Sequence, residues 1–241
     1  MFHFEEGEVF LIDKPLDWTS FDAVNLIRSV IKRYHGIRKL KVGHAGTLDP
    51  LATGLLIICT GRMTKQIDNF QAQEKVYTGT MLLGQTTPTY DLESKPDAFY
   101  PTDNITEEMM EEARKSFLGD IMQRPPKFSA IKIQGKRAFE YARSDEEVAL
   151  KERLVHIEDF KIDATDFPVI KFEVKCSKGT YIRSLVNDFG KRLNSGACMT
   201  SLRRTMIGDF SVDNARDLMH LKQEIIDSAV TVDNSQLTID N

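Results

Sequence analysis

A mixed α/β fold follows from three stretches of this 241-residue chain. Leu55-Leu56-Ile57-Ile58-Cys59 is an unbroken apolar run, short enough for a strand and apolar enough to be buried on both faces. Ile170-Lys171-Phe172-Glu173-Val174-Lys175-Cys176 alternates strictly, as a strand with one wet face does. Ile182, Leu185, Val186, Phe189 and Leu193 recur at helical spacing. Strands and helices alternate along the chain without repeats or low-complexity tracts, and 41% hydrophobic residues suffice for a proper core.

In order, Glu8 to Ile12 reads as a strand, after which Thr19-Ser20 caps a helix whose inner face is Phe21, Val24, Ile27 and Ile31, ending near Gly36. The buried run at 55–59 is followed by a short helix around Thr64 to Phe70 and an alternating strand from Val76 to Leu83. Residues 105–118 form a helix with a heavily acidic face. Pro125-Pro126-Lys127-Phe128-Ser129-Ala130 and Gly135-Lys136-Arg137 read as an exposed basic loop. The strand at 170–176 breaks at Gly179-Thr180, which caps the helix that follows.

No apolar run approaches membrane-spanning length, and the N-terminal residues lack the basic start and apolar stretch of a signal peptide, so a cytoplasmic location is expected. Cys59, Cys176 and Cys198 are an odd count without C-x-x-C spacing, which argues for reduced packing residues rather than disulfides or a zinc ribbon. The net charge of −4 conceals an uneven distribution: residues 122–215 carry 17 Lys and Arg against 13 Asp and Glu, whereas residues 1–121 carry 13 against 18. Between Asp22 and Asp49, six cations occur without one acid. Such islands suit a polyanion or are ordinary solvated faces; charge alone leaves both readings open.

Asp49 is the sole carboxylate in KVGHAGTLDPLATGLLIICTG, residues 41–61, among small and apolar neighbours. Arg183 presents a second puzzle. It stands in the first turn of a helix, where the dipole favours anions, so it calls for a carboxylate partner, and Asp49 is a candidate; a solvent-facing arginine is the plainer alternative.

GHAGTLDPLATG at 43–54, Tyr77 in the strand after it, PPKFSAIKIQGKRAFEYAR at 125–143, CSKGTYIRSL at 176–185 and SLRRT at 201–205 together resemble the bacterial tRNA pseudouridine synthase B family, over about residues 8–215. Two departures stand out. Asp17 occupies a position where the family often has glycine, and the sequence ends too early to hold the PUA domain of many members. The resemblance implies the pseudouridine synthase fold, a mixed and largely antiparallel sheet flanked by helices and RNA-binding loops. It implies one catalytic domain over residues 1–241, with an RNA-gripping insertion at about 124–153; whether the tail at about 222–241 is ordered, the sequence leaves open.

It also implies an activity: isomerisation of the T-loop uridine of tRNA, position 55, to pseudouridine, without cofactor or metal. The partner would be the tRNA T-arm, and the enzyme a monomer. Asp49 stands at the catalytic aspartate, with Arg183 to keep it ionised and oriented and Tyr77 to stack on the uracil and handle a proton. His44 would prop the gap left by the flipped base, and Tyr181 and Leu202 would line its pocket. Lys127, Lys132, Lys136, Arg137 and Arg143 would meet phosphates. A phosphotransferase built on Asp49 would need further acids for magnesium, and none lies between Asp22 and Asp68 except Asp49 itself. The remaining rival is a non-catalytic tRNA-binding or folding protein, which would not need a desolvated carboxylate beside a polyanion.

Overall fold

The computed structural model describes residues 1–129, 131–133, 135–144 and 150–236. Two compact units make it up, one of residues 1–73 with the chain from Arg203 onward, the other of residues 74–202. The first unit opens with strand β1 (Val9–Lys14), helix α1 (Ser20–Tyr34), strands β2 (Val42–Ala45) and β3 (Ala52–Thr60), a 3₁₀ segment (Gly61–Gln66) and helix α2 (Ile67–Ala72). Strand β3 runs antiparallel to β1 on one side, with Leu56 opposite Ile12, and to β2 on the other, with Ile58 opposite His44.

The apolar run in β3 is buried on both faces, as expected. Leu56 and Ile58 pack with Val24, Ile27 and Ile31 of α1. Leu55, Ile57 and Cys59 point the other way, toward Ala45 and Ile207, with Phe70 of α2 packed beside them. Each such side chain contributes about 1.5–3 kcal/mol by leaving water. Helix α1 starts with a capping box in which the Thr19 side chain accepts from the Asp22 amide and the Asp22 carboxylate accepts from the Thr19 amide. Phe21 is not on its inner face but exposed. Ser20 turns inward instead, because its hydroxyl both accepts from the Leu48 amide (2.8 Å) and donates to the Leu48 carbonyl (3.2 Å).

The second unit begins with β4 (Lys75–Leu83), a small ladder of β5 (Gln85–Thr86) and β6 (Ala98–Phe99), helix α3 (Glu107–Lys115) and strand β7 (Gly119–Gln123). Next come a hairpin of β8 (Lys132–Ile133) and β9 (Lys136–Arg137), helix α4 (Ala138–Arg143), strands β10 (Arg153–Asp163) and β11 (Val169–Cys176), helix α5 (Ile182–Arg192) and strand β12 (Ala197–Ile207), in which the unit ends. Strands β4, β11, β10 and β7 form an antiparallel ladder in that order, with Tyr77 opposite Val174. Helix α3 is shorter than the 105–118 stretch because Thr106 caps it and the chain turns after Ser116. Met110 and Ala113 face inward while Glu107, Glu108 and Glu112 stay wet.

All five apolar positions expected on α5, from Ile182 to Leu193, are buried. Its N-cap is Tyr181 rather than Thr180, whose hydroxyl is committed backward to the Ser177 carbonyl at 2.9 Å. Pro125 and Pro126, expected in an exposed loop, are buried; only Lys127 among the first three residues of that stretch is exposed.

The chain then completes the first unit with β13 (Phe210–Ser211), β14 (Arg216–Asp217), parallel to β1, and helix α6 (Leu218–Gln236). The tail left open by the sequence is helical from 222 as far as Gln236, because Leu218, Leu221 and Ile225 recur at helical spacing and are fully buried in the cluster that holds α1. Residues 237–241 lie outside the described residues. Among the described residues no helix is long and apolar enough to cross a membrane.

Candidate active site

In the first unit, Asp49 sits half-buried in the loop that joins β2 to β3. Three neighbours fix this loop through its backbone. Ser20 holds Leu48 by the two hydrogen bonds described above. The Asp17 amide donates to the Pro50 carbonyl at 2.9 Å, and the Asp49 carbonyl accepts from the Ala52 amide at 3.0 Å. Asp17 itself has φ +64, in the left-handed region where glycine is at home and Asp is among the few side chains tolerated, which accounts for its departure from the family's glycine.

Lys14, at the end of β1, is the third neighbour and was not singled out by the sequence. Its side chain is 0% exposed, and its ammonium donates to the carbonyls of Trp18 (2.6 Å), Pro15 (2.8 Å) and Pro50 (3.5 Å). Burial lowers its pKa from 10.5 to about 8, opposed by attraction to Asp49 and then Asp17. A buried ammonium thus ties the residue after Asp49 to the turn after β1. His44 lies half-buried on β2, five residues before Asp49.

In the second unit, Arg183 is 4% exposed, so the solvent-facing alternative is ruled out. Its Nη1 lies 3.5 Å from Asp91 Oδ2 and donates to the Thr89 carbonyl at 3.1 Å, while Nη2 donates to the Phe128 carbonyl at 2.9 Å. Asp91 is itself 2% exposed, and its Oδ1 accepts from the Glu93 amide at 3.0 Å. The carboxylate that sequence reasoning sought for Arg183 is thus present within its own unit, in a loop that carried no motif.

Tyr77 on β4 and Leu202 on β12 are buried. Tyr181 is gripped twice: the Gln123 side chain accepts from its amide (2.8 Å) and donates to its carbonyl (3.0 Å), and the Arg153 guanidinium lies 4.7 Å from its ring centroid. Of the expected phosphate contacts, Lys127 and Lys136 are exposed, and the Lys136 ammonium stands 5.5 Å from the Tyr141 ring centroid. The side chains of Lys132, Arg137 and Arg143 lie outside the described residues. All three cysteines are buried, and burial pushes the Cys59 and Cys176 thiols up to about 11, as suits packing residues.

Comparison with known proteins places this arrangement in a class. With a TM-score of 0.67 and 26% identity, the chain resembles a solved Cbf5-Nop10-Gar1 complex, over 94% of its own length and 60% of that chain. It likewise resembles the H/ACA RNP bound to a substrate RNA containing 2′-deoxyuridine, with TM-score 0.65 and 25% identity, over 92% of its own length and 54% of that chain. The chain thus spans only a little over half of these structural relatives, and the fold it shares with them is the pseudouridine synthase fold. At the sequence level, the family described as "TruB family pseudouridylate synthase (N terminal domain)" matches residues 32–182, and "tRNA pseudouridylate synthase B C-terminal domain" matches residues 183–238. A protein of Parabacteroides distasonis named tRNA pseudouridine synthase B is 55% identical over 210 residues, 87% of this chain and 89% of the relative. Another of that name from Flavobacterium johnsoniae is 52% identical over 221 residues, 91% and 96% of the two chains. The chain belongs to the TruB family of pseudouridylate synthases.

Proposed function

We propose that this protein is a tRNA pseudouridine synthase that isomerises the T-loop uridine, with Asp49 as the reacting carboxylate. The single observation that carries this reading is Asp49 itself, the one acid in its loop, held from beneath by backbone contacts to Lys14, Ser20 and Asp17 rather than free on a solvated face. The names of relatives at 55% and 52% identity support it. In the reaction the C1′–N1 bond breaks, the uracil turns, C5 bonds to C1′, and the hydrogen on C5 leaves as a proton while N1 gains one, so atoms balance without a cofactor.

The target base has to leave the stack first, at a cost of a few kcal/mol. In this reading His44 props the vacated space, Tyr77 stacks on the extruded uracil and handles a proton, and Tyr181 and Leu202 line its pocket. Arg183, anchored by Asp91, is the cation that orients Asp49 in this reading. Lys127 and Lys136 take phosphates, as do Lys132, Arg137 and Arg143. The partner is the T-arm, the enzyme acts as a monomer, and its compartment is the cytoplasm.

Tritium release from tRNA labelled at uracil C5 tests the reading, because forming the new carbon–carbon bond expels that hydrogen. The wild type releases tritium; Asp49→Asn releases none and binds tRNA as well or better, since the reacting oxygen and a negative charge near phosphates are both gone. Near-normal release by Asp49→Asn would overturn the assignment, and a wild type that binds tRNA without releasing tritium would make the protein a binding module.

A further inference from the structure

Arg204, on β12, is 1% exposed, and its neighbourhood within the first unit gives it a task beyond filling space. Its Nε donates to the Leu55 carbonyl at 2.8 Å and its Nη2 to the Gly46 carbonyl at 3.1 Å. Those two acceptors straddle Asp49, one before it at the end of β2 and the other after it, inside β3. One rigid plane therefore spans the base of the loop.

The backbone is shaped to admit it. Gly54 has φ +103 and lies so close to the Arg204 backbone that a Cβ there would come within 2.3 Å of the Arg204 carbonyl oxygen. Gly46 has φ +89, and a Cβ there would stand 3.4 Å from Nη1. Both glycines fall in the GHAGTLDPLATG stretch; the close approach of the Arg204 backbone gives Gly54 a physical reason, and its left-handed φ gives Gly46 one. A buried cation is a costly way to fill a core, since an apolar side chain of similar volume serves as well or better. What a guanidinium offers is a fork of donors in fixed directions.

We infer that Arg204 is a positioning residue for Asp49: its guanidinium sets the distance between the two ends of the catalytic loop and so fixes where the carboxylate stands. A lysine in its place keeps the charge but is a single mobile point, unable to hold both carbonyls at once in a fixed plane. The inference rests on the reading of Asp49 as the reacting group.

The test compares Arg204→Lys and Arg204→Met with wild type in three measurements: thermal midpoint, tRNA affinity, and single-turnover tritium release at saturating enzyme. Each variant is assayed well below its own midpoint, so that only folded protein is compared. Arg204→Lys, which keeps the charge, is the decisive variant if Arg204→Met does not fold. Its affinity is expected within about twofold of wild type, and its single-turnover rate lower by about ten- to a hundredfold, the scale of loss when a catalytic group is misplaced by about 1 Å. A wild-type rate in folded Arg204→Lys overturns the inference, as does a rate loss matched step for step by lost affinity. Asp49→Asn run in parallel separates the two ideas: if it still turns over, the reading of Asp49 fails; if it is dead while Arg204→Lys is unimpaired, only the inference about Arg204 fails.

Discussion

Two buried cations, one in each unit, are satisfied in different ways. Lys14, in the first unit, is solvated by three carbonyl oxygens and feels Asp49 and Asp17 only as neighbouring charges. Arg183, in the second, has its own buried carboxylate in Asp91 besides two carbonyls. A lysine coordinated by dipoles keeps the cost of burial and gives up its proton more readily. In the first unit the lysine therefore ties two loops together, and in the second the arginine is paired with a buried acid.

The sharpest way to break that contrast is at Arg183. Arg183→Lys should lose about a hundredfold in single-turnover rate with little change in tRNA affinity, because a mobile ammonium cannot reproduce the planar contacts. If the rate is normal, Arg183 has no orienting role. If binding and its salt dependence change instead, Arg183 meets a phosphate. Removing the counter-ion probes the same pair from the other side: Asp91→Asn should destabilise by about 3–5 kcal/mol, the usual cost of leaving a buried charge without its partner. Chemical denaturation reads this directly.

On the first unit, His44→Ala should slow turnover far less than Asp49→Asn does, because it weakens extrusion of the base rather than bond chemistry. Equal and complete losses would assign His44 a chemical role. Lys14 yields a pH effect whose sign is fixed. Its pKa in the folded protein, about 8, lies below its ordinary 10.5, so the unfolded chain binds the extra proton between those values and stability rises with pH across that window. Relative to Lys14→Met, the wild type should therefore gain stability from about pH 8 to about pH 10; a flat difference would mean that Lys14 is not burdened by its burial. The smallest effect is expected at Asp17. Asp17→Gly relieves a left-handed backbone at φ +64 at the expense of a more flexible unfolded chain, for a net gain of about 1 kcal/mol or less in thermal unfolding and no change in turnover.

Much of this was legible in the sequence because it is local. The run at 55–59, the alternation at 170–176 and the spacing of α5 are periodicities set by the backbone, and each maps onto a buried strand, a half-wet strand and a buried helix face. Phe21 stands outside despite its helical spacing, because Ser20 is held inward by its hydrogen bonds to Leu48 across the fold. Asp91 carries no motif, and its burial follows from the pairing with Arg183 that folding brings about.

By itself, then, the sequence determined the family and the strands and helices that carry the motif residues, because motif order and hydrophobic period are properties of neighbouring residues. Only the tertiary structure decided which groups satisfy the buried charges. Lys14 reaches the Pro50 carbonyl 36 residues away, Arg183 reaches Thr89 across 94, and Arg204 reaches Gly46 across 158. No local pattern encodes such pairings, since a carbonyl acceptor belongs to every residue and becomes a partner only when folding sets it beside a charge that has left water.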